Sequence, residues 1–505
     1  MVPLGQVKDL ETAKQMAALL EAENARLHQR LEALVQENAR LKGEDAQARL
    51  QLELTQLQEQ LARMQQRLFG ASSEKRPSAQ QEEPAARECQ QRGHGPRAQP
   101  ELPVQEVLLP LDEADKVCGL CGGALAEWRG QTEDSEEVSV VERHFVLKRY
   151  RRQKYRCPEG CAPVTAPTAP RLIPGGRYAV DFAVHVALQK YAFHLPLARQ
   201  ERMYRREGLV VDTQTLWDQL SALARHLQPS YEALLAVVFA SPLIHADETH
   251  WHLLDKGPGK KWYAWTVASP RAVHHRILPS RSGATARQVL GNYQGVAMVD
   301  GYAAYQTATK PGADGPASCS LVFCWAHVRR KFVEAEQVAP ACAQVLSLIG
   351  QLYAIEAGLP DPHALEGAQQ TAALAYRLLV RREQSVPLVA AIREWALAQR
   401  ALPGSGLRKA LEYMLALWSG LTVFLSNPWV PLDNNLVERQ LRDLVLGRKN
   451  HYGSKSLRGT EVAALFYSLI ETARLGGEDP GRYLLRAALA AIDNPGTFTL
   501  PSSLD

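Results

Sequence analysis

Three acids in this chain have surroundings that ask for a cation. Glu438 lies in Pro431–Asn450, PLDNNLVERQLRDLVLGRKN, which has helical spacing. Asp433, just after Pro431, is a suitable N-cap, and Leu436, Leu441, Leu444 and Leu446 supply an apolar face. Asn434, Asn435, Glu438 and Arg442 fall three or four residues apart and share a stripe. Such a stripe suits a metal-bound phosphate, the carboxylate holding the cation and the arginine facing the anion. The same spacing also fits a solvated face closed by a Glu438–Arg442 salt bridge.

Two acids upstream favour the metal. Pro242–Thr249, PLIHADET, is predicted as a strand, with Trp262–Val267 and Val273–Leu278 as its partners. Gly283–Tyr293 follows as a helix, and Gly295–Gly301, GVAMVDG, as a buried strand ending in an acid. Asp247 and Asp300 thus ride on apolar strands, where an unpaired carboxylate is costly and a divalent cation removes the cost. With Glu438 they make an oxygen donor set of the kind magnesium or manganese prefers. Glu248 alternates to the other face, which selects Asp247. His245 shares the Asp247 face while His250 and His252 point away, so this stretch is not a zinc-hydrolase helix. Neither a Gly-x-Ser-x-Gly elbow nor a P-loop occurs, which sets aside acyl transfer and nucleotide hydrolysis.

The elements that position these acids belong to a long, multidomain chain. A length of 505 residues exceeds what one core supports. Hydrophobic content of 46% and charged content of 22% are those of a globular protein. The net charge of +4 does not by itself imply nucleic acid, so local clusters carry that argument. The first residues lack a signal-peptide core, and the apolar run Ala233–Ile244 is too short to span a bilayer. Eight cysteines in so long a chain do not form a disulfide framework.

Residues 10–69 are predicted to form a coiled coil. Leu20, Leu27, Leu34 and Leu41 repeat at d, with Asn24, Leu31 and Asn38 at a, the pattern of a parallel dimer. Residues 70–108 form a Pro-, Gly- and charge-rich linker. In 109–168, Cys118-Gly-Leu-Cys121 and Cys157-Pro-Glu-Gly-Cys161 supply two thiolate pairs for a structural Zn2+ ribbon, with Val138–Tyr155 as ribbon strands. Arg149, Arg151, Arg152 and Lys154 there are a candidate phosphate-contact stripe, or else a solvated strand face. In the helical segment 169–240, Pro196–Tyr204, the break at Gly208 and Thr213–Leu220 have the form of a helix-turn-helix. Cys319–Trp325 is predicted to join the catalytic sheet; after it, Arg329, Arg330 and Lys331 are candidate DNA contacts and His327 either a DNA contact or a packed histidine.

Taken in order, further motifs give the chain a family likeness: Phe69-Gly-Ala-Ser-Ser-Glu-Lys75, the cysteine pairs, His194–Glu201, Asp247-Glu-Thr249, Asp300-Gly-Tyr302, Cys324–Phe332, Asp433–Glu438, Gly447–Asn450 and Tyr467–Ala473. With them the chain resembles the transposases of the insertion sequence 66 family over nearly all its length. That resemblance implies a multidomain α+β protein with a ribonuclease-H-like α/β catalytic core, divided into 241–334 and 427–475 by a helical insertion at 335–426 and followed by a tail at 476–505. It implies a D-D-E triad of Asp247, Asp300 and Glu438 holding two Mg2+ (or Mn2+) ions, which nicks the element's ends and joins them to target DNA. Arg442, Arg448 and Lys449 would contact DNA phosphates. Implied partners are double-stranded DNA, a second copy through the coiled coil and small accessory proteins, in the cytoplasm at the nucleoid. Two alternatives stay open from the residues: a non-catalytic DNA-binding regulator, and a structure-selective nuclease on the same fold.

Overall fold

The computed structural model describes residues 116, 118, 122–126, 145–155, 164–254, 261–310 and 319–504. The expected coiled coil, the linker, the Phe69–Lys75 turn, and Cys121, Cys157 and Cys161 lie outside the described residues. The chain divides into two compact units, residues 73–144 and the remainder. In the smaller unit Cys118 opens a tight turn: its N–H donates to the Gly123 carbonyl (2.8 Å) and its carbonyl accepts from Gly122 N–H (2.9 Å).

In the larger unit one strand pair is seen among the described residues of the expected ribbon. Lys154–Tyr155 pairs antiparallel with Val164–Thr165, and residues 145–153 have no regular structure. Phe145 leaves any strand register to pack edge-on against Tyr204, with ring centroids 5.0 Å apart. Helices α1 (Val180–Tyr191), α2 (Leu197–Arg206) and α3 (Thr213–Phe239) follow. A turn through Gly208 (φ +82°) separates α2 from α3, and Asp212 caps α3 by accepting from Thr215 N–H at 2.6 Å. The second helix of the expected helix-turn-helix is thus the start of a 27-residue helix that continues through Pro229.

The strands are β1 (Leu243–His252), β2 (Lys261–Ala268) and β3 (Val273–Leu278), then helix α4 (Gly283–Leu290), β4 (Val296–Val299), helix α5 (Ala303–Ala308) and β5 (Ser320–Phe323). They form one mixed sheet in the order β3-β2-β1-β4-β5, with β1, β2 and β3 antiparallel and β1, β4 and β5 parallel. Such a sheet is compatible with a ribonuclease-H-like core.

Next come α6 (Trp325–Glu336), α7 (Cys342–Ala357), α8 (Gly367–Val380), a π-helical turn at Arg381–Ser385, α9 (Val386–Ala398), α10 (Gly406–Ala416) and α11 (Trp418–Leu421). The chain then returns to the sheet through α12 (Asn435–His451) and α13 (Leu457–Leu475). By composition the 23-residue stretch Cys342–Ala364 is apolar enough to cross a membrane, with mean hydropathy 1.3. Its helix ends at Ala357, and Cys342, Val345, Leu346, Ile349 and Leu352 are buried in the protein core. Residues 476–505, expected as a tail, carry α14 (Pro480–Asp493), whose Tyr483, Leu484, Ala487, Ala488 and Ala491 are buried.

Period-two alternation sends the two faces of the sheet into different cores. Ile244, Ala246, Trp265 and Val267 pack with α4, α5 and the helices after β5. Trp251, Ala264 and Ile277 pack with α1, α3, α13 and α14, together with Leu444 of α12. Residues 180–239 therefore share a core with the sheet instead of enclosing one of their own.

One buried cation holds the return path. Arg381 is fully buried, and both carboxylate oxygens of Glu356 accept from it at 2.7 Å. Its remaining N–H groups reach the carbonyls of Phe424 (2.7 Å), Asn427 (3.1 Å) and Val430 (3.0 Å). A guanidinium in that fork is fully satisfied, which is the condition for burying it. The segment it clamps leads directly into α12.

Candidate active site

Sheet register brings the first two acids level. Leu243, Ile244 and His245 of β1 pair with Val296, Ala297 and Met298 of β4. Continued by two residues, that parallel register sets Asp247 beside Asp300, on neighbouring strands about 4.8 Å apart. At Asp300 the chain leaves β4, and the carboxylate Oδ1 accepts from Tyr302 N–H (2.8 Å). The turn needs Gly301, whose φ is +87° and whose added Cβ would meet Leu417 at 2.5 Å. Tyr413 of α10 donates its hydroxyl to the Asp300 carbonyl.

Glu438 arrives from the far end of the chain, and Asn434 places it. Asn434 is wholly buried; its Nδ2 donates to the Ala246 carbonyl (2.9 Å) and its Oδ1 meets His245 Nδ1 at 2.9 Å. Its backbone N–H donates to Cys324 Sγ (3.2 Å). This side chain pins the start of α12 to β1 one residue from Asp247, and Glu438 follows one helical turn later. The expectation that Asn434 belongs to a phosphate-facing stripe is corrected by its burial. The N-cap position also falls on Asn434 and not on Asp433, whose carboxylate accepts instead from Asn435 N–H (3.1 Å) and Nδ2 (2.7 Å). On the apolar face Val437 is buried, whereas Leu446 faces solvent.

Burial and neighbouring charge act together on Asp247. Burial, followed by the charges of Glu248, Asp300 and Glu438, pushes the Asp247 carboxyl up from 3.8 to about 8. Glu438 Oε1 is buried and has no hydrogen-bond partner among the described residues, with His327 Nδ1 3.9 Å away. An orphaned carboxylate oxygen among like charges is what a divalent cation satisfies, so these residues fit a hard metal ion. Ligand atoms of Cys324, His327 and Glu438 also lie within 4.8 Å of one another. Burial holds the Cys324 thiol up at about 12, and its sulfur already accepts from Asn434, so it serves as a packed thiol. His327, weighed from sequence as a DNA contact or a packed histidine, stands beside the third acid. An approach to Glu438 across 111 positions has no periodic signature.

Glu248 takes the opposite face. Its carboxylate is buried between Arg281 (2.5 and 2.6 Å) and the Tyr305 hydroxyl (2.6 Å). His245 is buried, and desolvation pulls its imidazole down to about 4, while His250 and His252 are exposed. The named cations differ in placement. Arg442 and Lys449 are exposed on α12, but Arg448 folds back on β1, donating to Thr249 Oγ1 (3.2 Å) and the His250 carbonyl. On α6, Arg329 and Arg330 are half-buried, and Lys331 is exposed with its amine 5.9 Å from the Tyr413 ring centroid. Arg149, Arg151, Arg152 and Lys154 are all exposed, and Arg152 Nε donates to the Ala166 carbonyl (2.6 Å).

Known proteins share much of this sequence. Two relatives from Sinorhizobium fredii (strain NBRC 101917 / NGR234) align over most of their length. The protein y4jD, described as uncharacterized, is 32% identical over 403 residues, 76% of each chain. Another described in the same way, y4hP, is 28% identical over 412 residues, 76% of this chain and 72% of its own. The model of the Transposase IS66 family matches residues 175–462, a span that begins before α1, includes Asp247, Asp300 and Glu438, and ends within α13. A match over more than half the chain assigns it: this protein is a member of the IS66 family of transposases.

Proposed function

We propose that the protein is a D-D-E transposase that cuts the ends of an insertion sequence and joins them to target DNA, using Asp247, Asp300 and Glu438 on a ribonuclease-H-like core. The observation that supports this reading is geometric: the β1–β4 register sets Asp247 level with Asp300, and Asn434 pins the helix carrying Glu438 to β1 beside Asp247. Asp247, Asp300 and Glu438 would hold the divalent cations, magnesium or manganese. The chemistry such cations supply when bound is Lewis-acid stabilisation of charge on the attacking and departing oxygens of an in-line phosphodiester exchange.

The chain's own residues supply position and field. Asn434 fixes where Glu438 sits, and Gly301 and Tyr413 fix the backbone at Asp300. Arg442 and Lys449, exposed on the helix that carries Glu438, would bind phosphates flanking the cut. The exchange needs no serine or tyrosine nucleophile, because water and then the DNA 3′-hydroxyl attack. The zinc ribbon of Cys118, Cys121, Cys157 and Cys161 and the α2–α3 pair would grip the terminal repeats. The N-terminal coiled coil would pair two copies at the nucleoid.

The experiment incubates purified protein with magnesium and duplex DNA carrying the element's terminal repeat, and resolves products on a denaturing gel. Cleavage and joined strands are expected, and Asp300→Asn should abolish both. Cleavage without joining would mark a nuclease, and binding without either a regulator. Full activity in Asp300→Asn would end the D-D-E reading.

A further inference from the structure

The helix that carries Glu438 ends in a conformation that its sequence does not favour. Tyr452 terminates α12 in the left-handed region (φ +60°, ψ 14°), where glycine is the usual occupant. Gly453 follows at φ +102°, and a Cβ there would meet the His252 carbonyl at 2.2 Å. Three contacts tie the turn to the end of β1, and a fourth closes it on itself. Ser454 N–H donates to the His252 carbonyl (2.9 Å), and Leu254 N–H donates to the Ser454 carbonyl (2.9 Å). Trp251 Nε1 donates to Ser454 Oγ (3.1 Å), and His451 Nδ1 donates to the Gly453 carbonyl (3.1 Å). A turn held this firmly keeps an outlier that would otherwise relax, and such outliers mark function. Its product is a tyrosine 73% exposed, with no hydrogen bond to its hydroxyl among the described residues. Beside it Leu254, bonded across the turn, is 55% exposed.

The approach to this tyrosine is basic. Along α12 the exposed positions are 435, 439, 442, 446, 449 and 450, a single face at helical spacing, and they include Arg439, Arg442 and Lys449 but no acid. Asp443, at the border of this face and only partly exposed, is neutralised by its pairing with Arg474. Thirteen residues separate Glu438 from His451 at the helix end, about 20 Å of rise, close to the length of six stacked base pairs.

We propose that this face tracks the DNA backbone away from the triad, and that Tyr452 stacks on an unpaired base about six nucleotides from the cut. Duplex DNA hides base faces, whereas a strand freed at a break exposes them, so the ligand is a single-stranded DNA segment beside a duplex. The position of the base relative to the cut rests on the function proposed above; the stacking does not.

The test uses the full chain without magnesium and two probes, a blunt 30-base-pair duplex and the same duplex with a ten-nucleotide 3′ extension. The extension carries 2-aminopurine at successive positions. Wild-type protein should bind the extended probe more tightly and quench one 2-aminopurine position. Tyr452→Ala should lose about tenfold on the extended probe only, together with the quench, while Tyr452→Phe keeps both. Tyr452→Gly should raise the melting temperature, because glycine suits the turn, yet bind as Tyr452→Ala does. That pairing separates lost stacking from lost folding. Replacing Arg439, Arg442 and Lys449 by Gln should flatten the salt dependence of duplex binding by about 2 to 3 in slope, which Tyr452 variants leave unchanged. Equal binding of both probes by Tyr452→Ala and wild type, or equal weakening on both, overturns the inference. A protein that shows the Tyr452 effect but never cuts with magnesium would sink the transposase chemistry and leave the stacking site standing.

Discussion

Adding magnesium to the metal-free protein should expel a proton. Burial and the charges of Glu248, Asp300 and Glu438 hold the Asp247 carboxyl at about 8. At pH 7 a group of that pKa is about 0.9 protonated. A cation bound by the three carboxylates requires Asp247 ionised, so saturation should release about 0.9 proton per site. Isothermal titration calorimetry in two buffers of different ionisation enthalpy reads the number directly from the difference in observed heat. Below pH 8 the apparent affinity should fall, approaching tenfold per pH unit. Asp247→Asn should remove the proton release, and Asp300→Asn should shrink it by removing one of the charges that raise Asp247. The sign for stability follows from the same shift. Because the folded-state value lies above the ordinary 3.8, the contribution of Asp247 is fully present below about pH 4. In the metal-free protein it is lost as pH rises toward 8. Equal heats in the two buffers would mean that Asp247 is already ionised, and the burial and charge inferred around it would be refuted.

Other perturbations reach the parts that hold the site. Asn434→Ala removes the anchors on His245 and Ala246, costing about 1–3 kcal/mol in urea unfolding. Strand cleavage should fall at least tenfold while DNA affinity is kept; unchanged cleavage would show that α12 is placed by other contacts. Arg381→Met strips Glu356 of its buried partner and three carbonyls of their donor, and should cost about 3–5 kcal/mol. Arg377, 2.8 Å from Glu356, keeps the loss toward the lower end, and thermal melting of the Arg377→Met double variant tests that. Glu248→Ala leaves Arg281 and Tyr305 without their acceptor and should cost about 2–4 kcal/mol, and by removing a charge that raises Asp247 it should also shrink the proton release.

Local pattern was enough to find the strands around Asp247 and Asp300, because alternation and apolar runs with turn residues at their ends are properties of neighbouring residues. The same rule separated Asp247 from Glu248: one residue of register sends a side chain to the opposite face, where Arg281 and Tyr305 receive Glu248. Spacing along a helix likewise put Glu438 and Arg442 on one side of α12. What spacing cannot encode is which face meets another element. Asn434 looked like a surface amide and is the buried pin of the site. Arg448 looked like Lys449 but folds onto β1, and Leu446 looked like a core residue but faces solvent. His327 beside Glu438, and the Arg381 clamp on carbonyls up to 49 residues away, join parts of the chain that share no repeat. Sequence alone determined the donor types and the elements that carry them, since those depend on local propensity and periodicity. Tertiary structure alone decided which groups are desolvated and which acids stand together, because burial and Coulomb interaction depend on distance through space.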